Sequence, residues 1–347
     1  MAGSSDTYKV GLHNVGSYQV SGRPWLKDVT LTGVESRLFE FPNVTEFIHI
    51  CNDHNSSNHN LDIVFCEPKR GLQMANQGTN PDVSYSASGF SYDEFTLSLW
   101  VKIVDLELTK FFDLRTDANS SFRLQIHSLG PDSLRLFVDN TPTIISSVPF
   151  VAGEYYNIVA SFSSGESKLF INGDLLATAT TTFSDPVTSI TLGSTDTNGF
   201  DGVYEQAILY GKSLTEDQAL EVYRANGIIG RMPLTPSIQS IWEFEDNQYK
   251  NFYAIPDTTS TIYDRKSSFN LTRTNTATEA FVDGRQITNA FARHKITLTG
   301  QQQIDLHCKT KQIFVRSTNN LDLSICAGLT NIPSDRMHDL TGTGIDD

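Results

Sequence analysis

The clearest period along the chain is two. In FTLSLWVKI, Phe95, Leu97, Leu99, Val101 and Ile103 share one parity, while Thr96, Ser98 and Lys102 fall on the other. That alternation predicts a strand buried on one face. SFRLQIHS and SLRLFVDN repeat it through Phe122, Leu124 and Ile126 and then Leu134, Leu136 and Val138, with LGPD as the turn of a hairpin. A second hairpin is marked more strongly in SKLFINGDLLATAT, where Asn172 and Gly173 supply the positive φ angles that a two-residue turn needs between twisted strands. One stretch departs from this period. KSLTEDQALEVYRANG predicts a helix in which Ser213 caps the first turn, Glu216 reaches back to the cap, Leu220 and Tyr223 form the apolar side and Gly227 ends the element. Many short strands, Gly and Asn turns and a single short helix predict an all-β sandwich.

One strand-like phrase occurs twice: NLDIVFC at residues 60–66 and NLDLSIC at 320–326. In both, the apolar residues hold one parity, Leu61, Ile63 and Phe65 in the first and Leu321, Leu323 and Ile325 in the second. Asp62 and Asp322 share the opposite face with Cys66 and Cys326. TEFIHI at 45–50 and TKQIFV at 310–315 precede the two copies. Each end therefore predicts two strands joined by an Asn-rich loop, too little to form a core alone. Together the ends reach the size of a normal domain. The expectation is two β-sandwich (jelly-roll) domains, one split between residues 1–66 and 291–347, the other, residues 67–290, inserted into one of its loops. Coincidence of a short phrase is the competing explanation.

FTLSLWVKI, EYYNIVASFSSGESKLFINGDLLATATTT and DGVYEQAILYGKSLTEDQALEVY, over about residues 88–226, resemble in order the signatures of laminin-G-like, concanavalin-A-type jelly-roll domains. Tyr155 and Tyr156 stand where such domains usually have tryptophan. The resemblance implies a lectin-like jelly roll. It also implies that a W-x-F-acid strand should come first, whereas IWEFEDN at 241–247, YDRKSSFNLT and FVDGR at 281–285 come last. Residues 239–287 are thus expected to return and supply those strands in permuted order; a crossover with its own small hairpin is the alternative.

The ends carry a second resemblance. GSYQVSGRPWL, EFPNVTEFIHICN and AGLTNIPSDRMHDLTGTGID are similar to phrases in small virion surface or minor capsid proteins of marine viruses, in which the two halves join without an insert. This implies a viral structural protein whose split β-domain binds capsid proteins and holds a lectin-like domain outward on the virion surface. Host glycans or another protein would be its ligand, and self-association would follow from repetition on a shell. A free-standing carbohydrate-binding or adhesion module is the first alternative and a glycoside hydrolase of concanavalin-like fold the second.

Charge narrows the partners. With 26 basic and 40 acidic residues the net charge is -14, which repels phosphate backbones and anionic lipid heads, so neither nucleic acid nor membrane is expected. MAGSSDTYKVG has no basic region followed by an apolar run, and no signal peptide or membrane span is predicted. Cys51, Cys66, Cys308 and Cys326 all lie in the two ends, and small buried thiols are preferred to disulfides.

Candidate chemistry is sparse. Cys51, His54, His59 and Cys66 have ligand types that suit zinc, but the spacing is not a familiar finger and a polar hairpin loop with incidental histidines is preferred, leaving any metal unknown. Glu243 and Glu245 in WEFEDN are the pair a glycoside hydrolase would need, yet the third acid of the comparable hydrolases is missing; the expectation is that the protein is not an enzyme. Rim loops of laminin-G-like sandwiches hold calcium in some members. STDTNGFDG places Asp196, Asn198 and Asp201 in one loop, a set that suits calcium or a sugar's hydroxyls, against the plainer reading of Asp and Asn as turn formers. No resident cofactor is expected beyond that cation.

Overall fold

The computed structural model describes residues 23–337 apart from 67–68, 75–83, 106–108, 117–120, 128–132, 139–140, 148–149, 164, 181–184, 194–199, 234–236, 247–256 and 275–278. The described residues form 24 strands and two α-helices, α1 (Glu216–Arg224) and α2 (Arg285–Arg293). No helix among them is long and apolar enough to cross a membrane. The chain divides into two compact units: Met1–Pro68 with Gln286–Asp347, and Lys69–Arg285.

In the terminal unit, two four-stranded antiparallel sheets enclose one core. The first runs β1 (Arg23–Leu31), β24 (Leu321–Pro333), β3 (Asn43–Asn52), β22 (Gln303–Leu306). The second runs β2 (Ser36–Glu40), β23 (Gln312–Ser317), β4 (Leu61–Val64), β21 (Ile296–Leu298). Every adjacent pair joins a strand from the start of the chain to one from its end. The repeated phrase explains why. Its copies lie in opposite sheets, and the apolar parity of each puts Leu61 and Ile63, and Leu321, Leu323 and Ile325, into the same interior with Ile48, Ile50, Ile313 and Val315. Outside the second sheet, the α2 residue Phe291 packs edge-on against Phe314, with the Arg316 guanidinium 4.0 Å from the Phe291 ring.

The inserted unit is a larger sandwich. One sheet is ordered β14 (Asp174–Ala179), β13 (Glu166–Ile171), β12 (Tyr155–Ser163), β7 (Phe95–Ile103), β16 (Gly202–Tyr210), β5 (Arg70–Met74), β20 (Ala280–Asp283), with β17 (Ile238–Trp242) also paired to β16. The facing sheet is β11 (Thr141–Ser147), β10 (Ser133–Val138), β9 (Ser121–His127), β8 (Thr109–Thr116), β15 (Val187–Gly193), β6 (Ser84–Tyr92), β19 (Leu271–Arg273), β18 (Thr261–Ile262). Residues 238–283 thus give strands to both sheets, and Trp242 and Phe244 are fully buried in the shared core. Asn172 and Gly173 have φ of 53° and 85° and close the β13–β14 hairpin. The side chains of Phe122, Leu124 and Ile126 lie outside the described set, while the backbone of β9 pairs with β10 in an antiparallel register.

Two expectations are corrected. The strand β7 is buried on both faces, not one, because α1 and the segment after it form a third layer over the sheet; Thr96, Ser98 and Trp100 lie beneath that layer at 0–3% exposure. Helix α1 is capped by Thr215 rather than Ser213, with Gln218 in place of Glu216 as the residue that reaches back. The shift follows from geometry. A capping box needs the cap at the residue before the first helical one, and Thr215 keeps an extended backbone there, φ -76° and ψ 169°. Its buried stripe is accordingly Ala219, Val222 and Ala225, with Leu220 and Tyr223 half-buried beside it.

Candidate functional site

Two strands meet end to end along β16: β5 pairs with Gly202 to Tyr204, and β17 with Ala207 to Tyr210. The register slips between Tyr204 and Gln206, so the bulge carries Glu205 into the gap between them. Polar side chains fill that gap. Lys69 Nζ donates to the Gly227 carbonyl at 2.8 Å and lies 3.2 Å from Glu243 Oε1, which also accepts from Gln206 Nε2 at 3.2 Å. The Arg70 amide donates to both carboxylate oxygens of Glu245 at 3.3 Å, and the Arg70 guanidinium pairs with Asp246 at 3.2 Å. The Arg285 amide donates to Glu205 Oε2 at 2.7 Å, while its guanidinium lies 3.5 Å from the Trp100 ring and donates to the Asn226 carbonyl at 3.1 Å. The carbonyls at the end of α1 thus hold a cation from each end of this unit, with the helix dipole favouring both.

Electrostatics in the gap follow from burial. Glu205, Glu243 and Glu245 are 3%, 7% and 6% exposed. Desolvation pushes the Glu245 carboxyl well above its ordinary range, against the opposing pull of Lys69. For Lys69 burial acts to lower the ammonium, but the carboxylates of Glu243, Glu245 and Glu205 outweigh it and hold the group above the usual lysine value. Because folded Glu245 binds its proton more tightly than the unfolded chain does, its contribution to stability grows as pH falls from the raised pKa toward the ordinary value near 4.5, and is lost as pH rises. Glu245→Gln should therefore leave stability at pH 7.5 within about 1 kcal/mol of the parent or above it, and flatten the pH dependence of thermal unfolding above about pH 5. An unchanged slope in calorimetry at stepped pH would dismiss this account.

A hydrolytic pair needs two carboxylates facing each other across an open cleft. Glu243 and Glu245 are instead closed in and paired with Lys69, Gln206 and the Arg70 amide.

The rim loop is reached only in part. Asp196 and Asn198 lie outside the described residues. Asp201 is half-buried just before β16, its carbonyl accepting from the Val104 amide at 3.0 Å. Burial, reinforced by the negative charge of Asp105, raises its carboxyl. Two carboxylates at one rim attract a cation, yet calcium takes six to eight oxygens, and no group of three or more acidic, His or Cys side chains among the described residues could hold a metal. The Cys and His set is likewise not gathered. Cys66 is buried beyond β4, His54 and His59 stack at 3.6 Å within the loop, and burial followed by the neighbouring Asp53 pushes the Cys51 thiol up to about 11. No disulfide joins any of the four cysteines.

A cleft of about 420 Å³ that the sequence did not flag lies between the β12–β13 hairpin and the start of α1. Ser163, Lys168, Ser213, Thr215, Glu216 and Asp217 line it, an array of hydroxyls and carboxylates beside one ammonium. Lys168 is tied to Glu166 at 3.2 Å and the Thr215 hydroxyl to the Gln218 amide at 3.3 Å, leaving Glu216 and Asp217 exposed on the first turn. The signal was present in SFSSGESK and KSLTEDQ, but only the fold brings those phrases together.

The order of elements in this sandwich, a buried β7, an Asn-Gly hairpin, then β16 running into α1, matches a known family. Residues 77–219 fit the concanavalin A-like lectin/glucanases superfamily. The chain is also similar in fold to solved structures at low identity. A candidate carbohydrate-binding protein from Bacteroides ovatus is 11% identical, with 82% of this chain and 95% of that one aligned at a TM-score of 0.46. The heptameric SAP-like pentraxin of Limulus polyphemus is 15% identical over 52% of this chain and 91% of its own, at 0.34. The CBM40 of the Ruminococcus gnavus IT-sialidase, bound to α2,3-sialyllactose, is 16% identical over 49% and 100%, at 0.36. No curated protein matches the chain in sequence. The fold of residues 77–219 is therefore that of a concanavalin A-like lectin/glucanase domain.

Proposed function

We propose that this is a non-catalytic display protein of a virion surface, in which the terminal sandwich attaches to capsid proteins and the concanavalin A-like unit binds a host glycan. The observation that carries the reading is architectural. The ends have a complete core of their own, while the lectin-like unit begins and finishes at neighbouring residues, Gly284 donating to the Lys69 carbonyl at 3.0 Å. A binding module held in this way can be presented by a base that does something else. The closed carboxylates of Glu243 and Glu245 support a binding role over hydrolysis. The resemblance of phrases in the chain ends to those of minor capsid proteins supports the virion reading. The rim loop with Asp196, Asn198 and Asp201 is the proposed ligand contact, with calcium as an assisting cation.

Glycan-array binding by the purified protein, combined with detection of the protein on purified particles, tests both halves. Asp201→Ala is expected to weaken array binding about tenfold or more, in keeping with loss of a charge-assisted hydrogen bond, while leaving thermal unfolding near that of the parent. If Asp217→Ala weakens it instead, the ligand sits in the cleft beside α1. An array with no signal rules out the glycan role. The second reading, a free-standing carbohydrate-binding module, is favoured by the family match, which requires no virion; array binding by a protein absent from particles would establish it.

A further inference from the structure

The terminal unit contains a second level of order. Interchanging its two chain segments turns the sheet order β1-β24-β3-β22 into β21-β4-β23-β2, which is the other sheet read backwards. Registers obey the same exchange. Thr30 pairs with Asp322 as Thr297 pairs with Asp62, Leu31 with Leu321 as Leu298 with Leu61, and Ser36 with Arg316 as Gln303 with Cys51. The hydrogen bonds repeat too: Thr30 Oγ1 donates to Asp322 Oδ1 at 2.7 Å and Thr297 Oγ1 to Asp62 Oδ1 at 2.6 Å. The two central pairings keep the parity but differ by two residues, Ile50 opposite Ile325 and Val315 opposite Ile63. The sequence carries the repeat as VTLTG at 29–33 and ITLTG at 296–300, ahead of the TEFIHI/TKQIFV and NLDIVFC/NLDLSIC pairs. Thr45 and Thr310, at matching places, bond to each other: the Thr45 amide to the Thr310 carbonyl at 2.9 Å, and the Thr310 amide to Thr45 Oγ1 at 3.1 Å.

We infer that the terminal unit is two copies of one four-stranded repeat, residues 23–66 and 296–333, intertwined about an internal two-fold, and that the partner each repeat fits is the opposite repeat of a second copy of this chain. No described strand pairs within its own repeat, so a repeat supplies one half of every ladder and accepts the other half from elsewhere. Exchange between two chains recreates each contact of the closed monomer, as in domain swapping, and yields a two-fold dimer. What separates the two outcomes is concentration. Within one chain the repeats leave from adjacent residues, since β5 pairs with β20 from Arg70 opposite Asp283, and that sets a local concentration in the millimolar range. Dilute chains close on themselves; chains folding side by side during assembly exchange. Exchange of this kind does not depend on what the inserted unit binds.

Leu26 and Cys326 are register partners across β1 and β24, at a Cα separation of about 4.5–5.5 Å for such pairs, within the range a disulfide spans. One full-length chain carries Leu26→Cys and Cys326→Ser; the other keeps native Leu26 and Cys326; Cys51→Ser is present in both. Co-folded and oxidised, they can form a 26–326 link only by exchange. The expected result is a linked dimer, identified by peptide mass, that grows about tenfold for each tenfold rise in chain concentration during folding and is absent when the chains are folded apart and then mixed. A single chain with Leu26→Cys and native Cys326 shows whether the pair closes within a monomer. If it does not, Thr30→Cys with Asp322→Cys reads the far end of the same strand pair. A pair that closes within one chain and never between co-folded chains overturns the inference.

Discussion

Replacing Lys69 by methionine is expected to destabilise the inserted unit by about 3–5 kcal/mol at pH 7.5, a fall of about 6–20 °C in its melting temperature. The Lys69 side chain is 14% exposed and its ammonium satisfies the Gly227 carbonyl and Glu243, while its charge also offsets Glu245 and Glu205. Removing it leaves three buried carboxylates facing one another with only Arg70 and Arg285 nearby, and an uncompensated buried charge costs far more than the pair contributes when intact. The loss should shrink at pH 5, because Glu245 already holds its proton tightly and would hold it more tightly without Lys69. Adding Glu243→Gln to Lys69→Met should recover part of the loss even at pH 7.5, since the amide still accepts from Gln206. Calorimetry of the two single variants and the double variant at both pH values decides the matter. A Lys69→Met protein within 1 kcal/mol of the parent would show that the gap admits water and that the network is not buried in the way described.

A chain ending at residue 285 should lose the fold of residues 23–66 altogether while keeping that of the inserted unit. All four strands β1 to β4 then have their backbone groups unpaired, and the inward side chains Ile48, Ile50, Leu61 and Ile63 lose the facing half of their core. Two-stranded fragments without a covered face are marginal at best, and here no pair remains. Amide exchange followed by mass spectrometry is the measurement: peptides from 23–66 should exchange as in an unfolded chain, those from β7 and β16 as in the full protein. The opposite surgery should be tolerated. Ile63 and Ile296 are register partners, so joining residue 66 to residue 294 through a few glycines converts β4 and β21 into an ordinary hairpin, and the terminal sandwich should still unfold cooperatively. Protected amides in 23–66 of the shortened chain would refute the account of pairing.

Much of this architecture could be read from residue types alone, because strands and hairpins are local. The parity of Phe95 to Ile103, the Asn172-Gly173 turn and the recurrence of NLD all report backbone geometry within a few residues. What escaped depends on neighbours far apart in the chain. The outer face of β7 is polar enough to suggest solvent, and only the return of α1 over it makes Thr96 and Ser98 buried. WEFEDN shows a pair of carboxylates, but the partners of Glu243, Lys69 and Gln206, stand 174 and 37 positions away in the chain. The cap of α1 was misplaced by two residues because Ser213, Thr215, Glu216 and Gln218 offer two overlapping capping patterns, and propensity does not choose between them. Of the ligand-binding set, Asp201 alone has a described environment. The cleft beside α1 went unseen because its two walls, SFSSGESK and KSLTEDQ, belong to separate elements that only the fold brings together.

The alternation of early and late strands also fixes an order of events during synthesis. On a ribosome adding about 5–20 residues per second, β4 emerges roughly 10–50 s before β21, so the first repeat waits, unpaired, while the whole lectin-like unit is made and folds. Only a chain translated to its last strand can close the terminal sandwich. Prematurely terminated products would hold the concanavalin A-like fold without the terminal sandwich, so that under the proposed function completion of the polypeptide is a condition of attachment.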